Sequence, residues 1–428
     1  MPVTDLETGV APVRAAPLPR RAARALLGYA GVRALGLIVL AVWSAARGKS
    51  AYTLLTARWD ALWYTRVAES GYGYEIRLPN GDVHSDLAFF PLLPWLERLL
   101  HALTPLSYAD AGFAVSLSAS LAAAWGIFAV VDRVYGHRAG LYGVLLWAVL
   151  PVGIVQSMAY SESLFTALAA WSLYAVLTER WVSAGVLAAL AGLTRPVGLA
   201  VVAAVWVAGV APFVRNRRNT GPGSAHSDGR ASRAVSAVRA RRVETEGGAH
   251  ETARACWVMD GASVTPRALG MLIAPLGAAG YVLWVGRRTR RGPFGYLDVQ
   301  AGWRNGFDGG YAFARFIADK FTSFPSALAG LALIAGVVLV IWLYMTGVRQ
   351  GQPLTLLVYS GVVTVLALCA SSYFGSKPRL LLPAFPLLLP LARALARLRT
   401  PTSVLVTAVV AVGAAAYGAF WLNGSGPP

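Results

Sequence analysis

The sequence predicts an all-α protein that crosses a membrane many times, and three observations predict it. Hydrophobic residues make up 56% of the 428 positions and charged residues only 14%, against roughly 45–50% and about 25% in soluble globular chains. The apolar residues are gathered into runs of about the 20 residues that a membrane-spanning helix needs. The charge, 38 Lys+Arg against 20 Asp+Glu, falls largely between those runs, as the positive-inside bias of membrane proteins expects. A soluble enzyme and a disordered or fibrous chain are thereby excluded, and a nucleic-acid binder would gather its basic residues on one compact face.

In order along the chain, 1–24 is rich in Pro, Ala and Arg and reads as a disordered cytosolic tail. The run 25–46 is too long for the apolar region of a signal peptide and reads as a retained first span. Residues 47–111 form a first outer loop of unusual composition. Asp60, Glu69, Glu75, Asp82, Asp86, Glu97 and Asp110 lie there, seven of the twenty acids. Trp59 and Trp63, and likewise Asp60 and Tyr64, are four residues apart and share a helix face. Short amphipathic helices with Trp and Tyr beside charges suit the membrane interface. Ten further apolar runs follow, at 112–131, 140–157, 162–178, 182–194, 197–214, 267–286, 327–346, 354–372, 380–396 and 402–422.

The stretch 181–214 is about 50 Å as one helix, too long for one span and barely enough for two. Arg195-Pro196 interrupts it. Two spans place 215–266, which is low in complexity and rich in arginine, on the side of the N-terminal tail, and this is the arrangement the positive-inside rule favours. The expectation is about eleven spans: an N-terminal module at 25–214, a disordered basic cytosolic loop at 215–266, and a C-terminal module at 267–428 with a second outer loop at 287–326. Arg287, Arg288, Arg290 and Arg291 then fall outside, against the rule.

Five segments carry residues suited to chemistry. Asp60, in Trp59–Tyr64, is a carboxylate flanked by rings that could act as a base or simply cap a helix. Asp86 lies in a second segment with the apolar Phe89, Phe90 and Trp95. Glu162 opens Ser161–Phe165 at a tight turn between runs. Arg195, alone between two apolar runs, is costly unless paired or phosphate-bound. Lys377 and Arg379, two residues apart at the mouth of a span, suit a phosphate or lipid headgroups. Two cysteines and five scattered histidines offer no zinc spacing. There is no phosphate-binding GxxxxGK[ST] and no GxSxG.

The motifs RWDALWYTRVAESGY, AFFPLLP, SESLF, TRPVG and KPRLLLPAFP, in this order, resemble the PIG-V-like mannosyltransferases over about residues 25–420. These are relatives of the GPI-anchor mannosyltransferase that adds a second mannose, in the GT-C class of multispanning glycosyltransferases. The resemblance implies a GT-C-like membrane fold and an inverting transfer of mannose from polyprenyl-phosphate-mannose to a lipid or glycan acceptor. It places the active site at the outer face of a bacterial plasma membrane, with Asp60 as the key carboxylate. A further family element matches GPFGYLDVQAGW, with Gln300 and Trp303. Eukaryotic members read Arg-Ser-Asn where this chain reads Arg195-Pro196, and the GPI acceptor does not carry over.

A sugar on a phosphate diester has a good leaving group, so one base and cations for the departing phosphate suffice. Asp60 fits the base, and Arg195, Lys377 and Arg379 the phosphate. Trp59, Trp63, Tyr64, Asp86, Glu162, Gln300 and Trp303 are candidates for substrate contact. No cofactor is demanded, although Asp60 with Asp86 could hold a divalent metal. The partners expected are the polyprenyl-phosphate-sugar donor, the acceptor and membrane lipids, and no nucleic acid. A secondary transporter or flippase is the alternative, but it would place more of its charges mid-span than Arg33 alone.

Overall fold

The computed structural model describes residues 18–219, 265–371 and 373–424. Most of the tail at 1–24 and of the loop at 215–266, including Cys256, therefore lies outside the described residues. The rest is mainly helical. The first half comprises α1 (Leu18–Ala46), α2 (Ala51–Thr56), α3 (Asp60–Ser70), α4 (Leu92–Leu103), α5 (Tyr108–Tyr135), α6 (His137–Ala148), α7 (Ser161–Leu177), α8 (Trp181–Gly192) and α9 (Leu199–Asn219). The second comprises α10 (Thr265–Arg288, interrupted at 274–275), α11 (Gly295–Gly302), α12 (Tyr311–Asp319), α13 (Phe324–Arg349), α14 (Leu354–Cys369), α15 (Lys377–Leu380), α16 (Leu389–Arg397) and α17 (Thr400–Leu422).

The chain is an all-α integral membrane protein, and each apolar run of the sequence carries helix. Five helices, α1, α5, α10, α13 and α17, are each long and apolar enough to cross a bilayer. The segments Phe374–Leu380 and Phe385–Arg397 form a pair bent by 74°, and Ser161–Leu177, Trp181–Gly192, Pro196–Pro212 and Leu354–Cys369 are shorter apolar helices. Among the described residues these helices are roughly as many as the expected eleven or so, and they divide into full spans, short helices and one broken pair. At 1.5 Å per residue the twelve-residue α8 reaches about 18 Å, well short of the ~30 Å hydrocarbon core.

Helix α5 packs on α6 and α7, α7 on α8, α1 on α6 and α17, α9 on α14, and α8 on α10. The α8–α10 crossing is backbone against backbone: a Cβ at Gly277 would collide with the carbonyl of Ala189, and one at Gly185 with that of Gly270. Small residues let membrane helices approach this closely. Arg33, buried in α1, donates to the carbonyls of Ala148 and Gly153, while Tyr29 one turn earlier donates to Gln156 Oε1 at 3.0 Å. A charge deep in an apolar helix is thus spent on carbonyls freed where α6 ends.

The expected amphipathic helices of the first outer loop are α3 and α4. Between them lies a two-stranded antiparallel hairpin, Glu75–Arg77 with Val83–Ser85, in register Glu75↔Ser85. The sequence reading lacks it, although Asn80-Gly81 is a strong hairpin-turn signal. Asn80 Nδ2 donates to Asp82 Oδ2 at 2.8 Å, and Gly81 takes φ 87°, which costs glycine little.

Glu97 is the odd residue of α4. It is fully buried against Gly112 of α5, where a Cβ would come within 2.6 Å of its Oε1. Neither carboxyl oxygen has a hydrogen-bond partner among the described residues. Burial holds this carboxyl well above the usual carboxylate range. A group raised in the folded state contributes stability that is complete below its unfolded value, about pH 4.3, and is lost as pH rises through the raised value. The melting temperature of the purified protein should therefore fall as pH rises out of the acid range, at up to about 1.4 kcal/mol per pH unit. Glu97→Gln should remove that slope. Parallel pH curves for the two proteins would show that the carboxyl ionises at no cost.

Candidate active site

Four breaks in helical structure converge, and each delivers one charge. Asp60 is the first residue of α3, preceded by Trp59 at φ 52°, a left-handed conformation unusual for a ring-bearing residue. No side chain caps α3, so the carboxylate in its first turn meets the positive end of the helix dipole. Glu162 holds the corresponding place in α7. Arg195 is extended, at φ −162° and ψ 154°, as the residue before a proline prefers. Arg379 lies in α15, a single helical turn that Pro378 starts.

The four side chains form a neutral cluster of two acids and two guanidinium groups. Arg379 Nη1 lies 2.9 Å from Asp60 Oδ2, and Arg379 Nε lies 3.1 Å from Glu162 Oε1. Arg195 Nη1 pairs with the same oxygen of Glu162. Tyr160 lies under Arg379, its ring centre 5.1 Å from the guanidinium carbon. Side-chain exposure grades from 1% for Glu162 through 9% for Arg379 and 13% for Arg195 to 27% for Asp60. Glu162 is therefore the buried anchor, and Asp60 is the member that a molecule from outside can reach.

Backbone and hydroxyl bonds fix the segments around the cluster. Ala159 N donates to Leu55 O at 2.9 Å, and Leu92 N to Leu193 O at 3.0 Å. Ser116 Oγ of α5 donates to Tyr160 O at 3.0 Å, and Tyr64 OH meets Ser161 Oγ at 2.8 Å. Tyr64 thereby bridges α3 to the first residue of α7.

An aromatic layer adjoins this frame. Trp63 stacks on Phe89 with centroids 5.5 Å apart, and Trp303 meets Trp63 edge-on at 4.9 Å. Tyr64 closes the set against Phe89 at 5.2 Å. Trp303 also stacks on His84 at 4.0 Å and donates from Nε1 to Ser85 O at 3.0 Å. Gln300 Nε2 donates to Tyr296 OH at 2.5 Å, and its Oε1 accepts from Asn305 Nδ2 at 3.0 Å. Trp59 lies at the edge, under the guanidinium of Arg58 at 4.1 Å.

Of the residues marked in the sequence, Asp60, Glu162, Arg195 and Arg379 are brought together. Two other candidates have different partners. Lys377 Nζ donates to Ala370 O at 2.7 Å, Ala367 O at 3.0 Å and Leu368 O at 3.4 Å, and it lies over the Phe313 ring at 4.8 Å. Its donors are spent on the end of α14 rather than left for a phosphate. Asp86 is fully buried and accepts from the amides of Tyr74 and Gly73, each at 2.9 Å. Burial pushes its carboxyl up, and those two amides offset part of the rise. With Asp60 paired to Arg379, the two aspartates serve separate partners, and the described residues hold no group of three or more His, Cys, Asp or Glu fit for a metal ion.

Residues 86–220 match the family model for dolichyl-phosphate-mannose-protein mannosyltransferase. The match covers less than half of the chain. It takes in Glu162 and Arg195 and leaves out Asp60 and Arg379. The crystal structure of ArnT from Cupriavidus metallidurans bound to undecaprenyl phosphate aligns over 88% of this chain and 61% of its own, at 16% identity and a TM-score of 0.49. The apo crystal structure of the same protein aligns over 81% and 56%, at 17% identity and a TM-score of 0.47. The chain thus spans about three fifths of the length of those structures. No curated protein matches it.

Tyr160 and the hydroxyl of Ser161 are not singled out by the sequence. Tyr160 was the more accessible of the two, because a tyrosine directly before a buried acid at a helix start is a natural cover for its counter-ion. Removing one arginine tests how the cluster is balanced. Arg379→Ala leaves Asp60 unpaired and Glu162 with Arg195 alone, and should cost about 3 kcal/mol of stability, the lower end for breaking a buried ion pair. Adding Glu162→Gln should recover part of that loss. Thermal melts of the single and double variants check this, and strict additivity would show that the two residues are not coupled.

Proposed function

We propose that this chain is a membrane glycosyltransferase of GT-C type that moves mannose from a polyprenyl-phosphate donor to a hydroxyl of a lipid or glycan acceptor, at the outer face of the membrane. One observation carries the reading: a reachable carboxylate, Asp60, is held on an otherwise buried cluster that supplies two guanidinium groups. Charges buried this deeply are expensive and are kept for function. The family match over residues 86–220 supports the class of sugar and of carrier.

The chemistry follows from the roles. The acceptor hydroxyl gives its proton to Asp60 as its oxygen forms a bond to the anomeric carbon. The bond from that carbon to the phosphate oxygen breaks on the opposite face, and its electron pair leaves on the polyprenyl phosphate. A single displacement of this kind inverts the anomeric centre. Arg379 and Arg195 meet the charge on the departing phosphate, which competes with Asp60 for Arg379 and frees the carboxylate for proton transfer. Glu162 keeps the two guanidinium groups side by side. Trp63 and Trp303 offer ring faces for the sugar, with Gln300 as a polar neighbour.

A positioned carboxylate contributes about 10²–10⁴-fold to such a proton transfer. Asp60→Asn should fold normally and lose about 10²-fold in turnover, roughly 2.7 kcal/mol, with donor binding retained. Release of polyprenyl phosphate from polyprenyl-phosphate-mannose by purified protein measures it. Unimpaired turnover in the variant would remove Asp60 as the base.

The outer-face placement has its own check. A cysteine replacing Asn80, at the exposed tip of the hairpin, should react with an impermeant maleimide on intact cells, and one replacing Ser227 should react only after lysis. The reverse pattern would place the site on the cytosolic side.

A further inference from the structure

The four arginines at 287–291 run against the charge bias of the sequence, and the reaction proposed above makes no use of them. They stand at the end of α10, a candidate span that finishes at Arg288, so they lie where a span meets the headgroup layer. Arg287, Arg288, Arg290 and Arg291 are all exposed. Arg291 has Asp298 at 3.7 Å, whereas Arg287 and Arg290 have no ion-pair partner among the described residues. The short helix that follows exposes Leu297, with Phe294 exposed just before it. Arginines interspersed with exposed apolar side chains suit a surface where phosphates overlie hydrocarbon.

A groove of about 640 Å³ adjoins Arg288 of this cluster, which touches two of its lining residues, Trp284 and Tyr72. Its walls are almost wholly apolar: Trp95 of α4, Val186 of α8 with Leu193 just past its end, and Ile273, Gly280 and Trp284 along α10. Arg288 joins groove and cluster. Its guanidinium lies 5.5 Å from the Trp284 ring centre, and its Nη2 donates at 2.8 Å to the carbonyl of Tyr72, another wall residue. Along α10, Ile273 to Trp284 spans about 16 Å, half of the ~30 Å hydrocarbon core. The groove is therefore one leaflet deep, and a polyprenyl chain of many isoprene units would overrun it.

We propose that this groove, with Arg288 against its wall and the exposed Arg287 and Arg290 within two residues of it, is a binding site for an anionic phospholipid of the surrounding leaflet. One acyl chain would lie in the groove, over the close α8–α10 crossing, with the headgroup phosphate on the arginines. Charge complementarity favours an anionic headgroup over a zwitterionic one, and the apolar walls favour a chain over a free phosphate. Neither Arg195 nor Arg379, which contact Glu162 and Asp60, lines this groove. It does not depend on the transfer chemistry, so it can fail or stand on its own.

The test uses the full-length protein, purified and stripped of lipid in detergent, then incubated with mixed micelles of equal phosphatidylglycerol and phosphatidylcholine. After repurification, the bound lipid is counted by mass spectrometry. Phosphatidylglycerol should be retained in clear excess. Replacing Arg287, Arg288 and Arg290 together by Gln should lower that retention at least about tenfold, as expected for the loss of three cations facing anionic headgroups. Replacing the same three by Lys should keep most of it. Gly280→Leu should also empty the site with the charges intact, since a Cβ there meets nothing within 4 Å and the side chain fills the groove. Equal retention of both lipids, unchanged retention in the Gln and Leu variants, or displacement of the phospholipid by an equimolar polyprenyl phosphate would each overturn the proposal; the last would assign the groove to the donor.

Discussion

Glu162 is the residue on which the rest of the arrangement depends. A carboxylate with 1% of its side chain exposed is untenable in an apolar fold unless counter-charges meet it directly. Two arginines do so, from segments that lie far apart in the chain. Satisfying one acid therefore brings together the start of α7, the break after α8 and the turn of α15. The second arginine leaves a surplus positive charge, and Asp60 balances it from the far side. Neutrality of the cluster as a whole permits its burial, and the order in which its members are shielded decides which of them meets solvent.

Each of these charges sits where a helix begins or breaks, and that is physically economical. Helix ends leave backbone groups without partners, so they are the places where polar side chains are useful anyway. Pro196 and Pro378 enforce two of the breaks, and Trp59 marks a third through its left-handed backbone. Membrane proteins tolerate irregular backbone only where it is buried in protein or lines a cavity. Here the irregular segments surround the charged cluster, and the long spans α1, α13 and α17 lie toward lipid, with under a third of their apolar windows buried.

Much of this could be read from the residues. Apolar runs located the helices, and the proline after Arg195 located the break within 181–214. The isolation of Arg195 between two apolar runs marked it as a residue needing a partner. What could not be read was which partner. Asp60 meets Arg379 across most of the length of the chain, and no local pattern encodes such a pairing. Lys377 and Arg379 looked equivalent because they are two apart, but in α15 that spacing sends them to different surroundings, one to backbone carbonyls and the other to carboxylates. Asp86 looked available because its neighbours are polar and aromatic. The hairpin that folds Gly73 and Tyr74 back over it consumes its oxygens instead.

Lys377 also bears on how an apolar helix can end without reaching water. The last carbonyls of any helix need donors, and in a soluble protein the solvent supplies them. At the end of α14 the three donors of one ammonium group take that place, covered by the rings of Phe313 and Phe374. The ammonium behaves as a tethered substitute for bulk water, carried on the very segment that bends away from the helix it seals. The chain can thus turn back toward the cluster within the protein, and Arg379 arrives two residues later at the depth where its carboxylates wait.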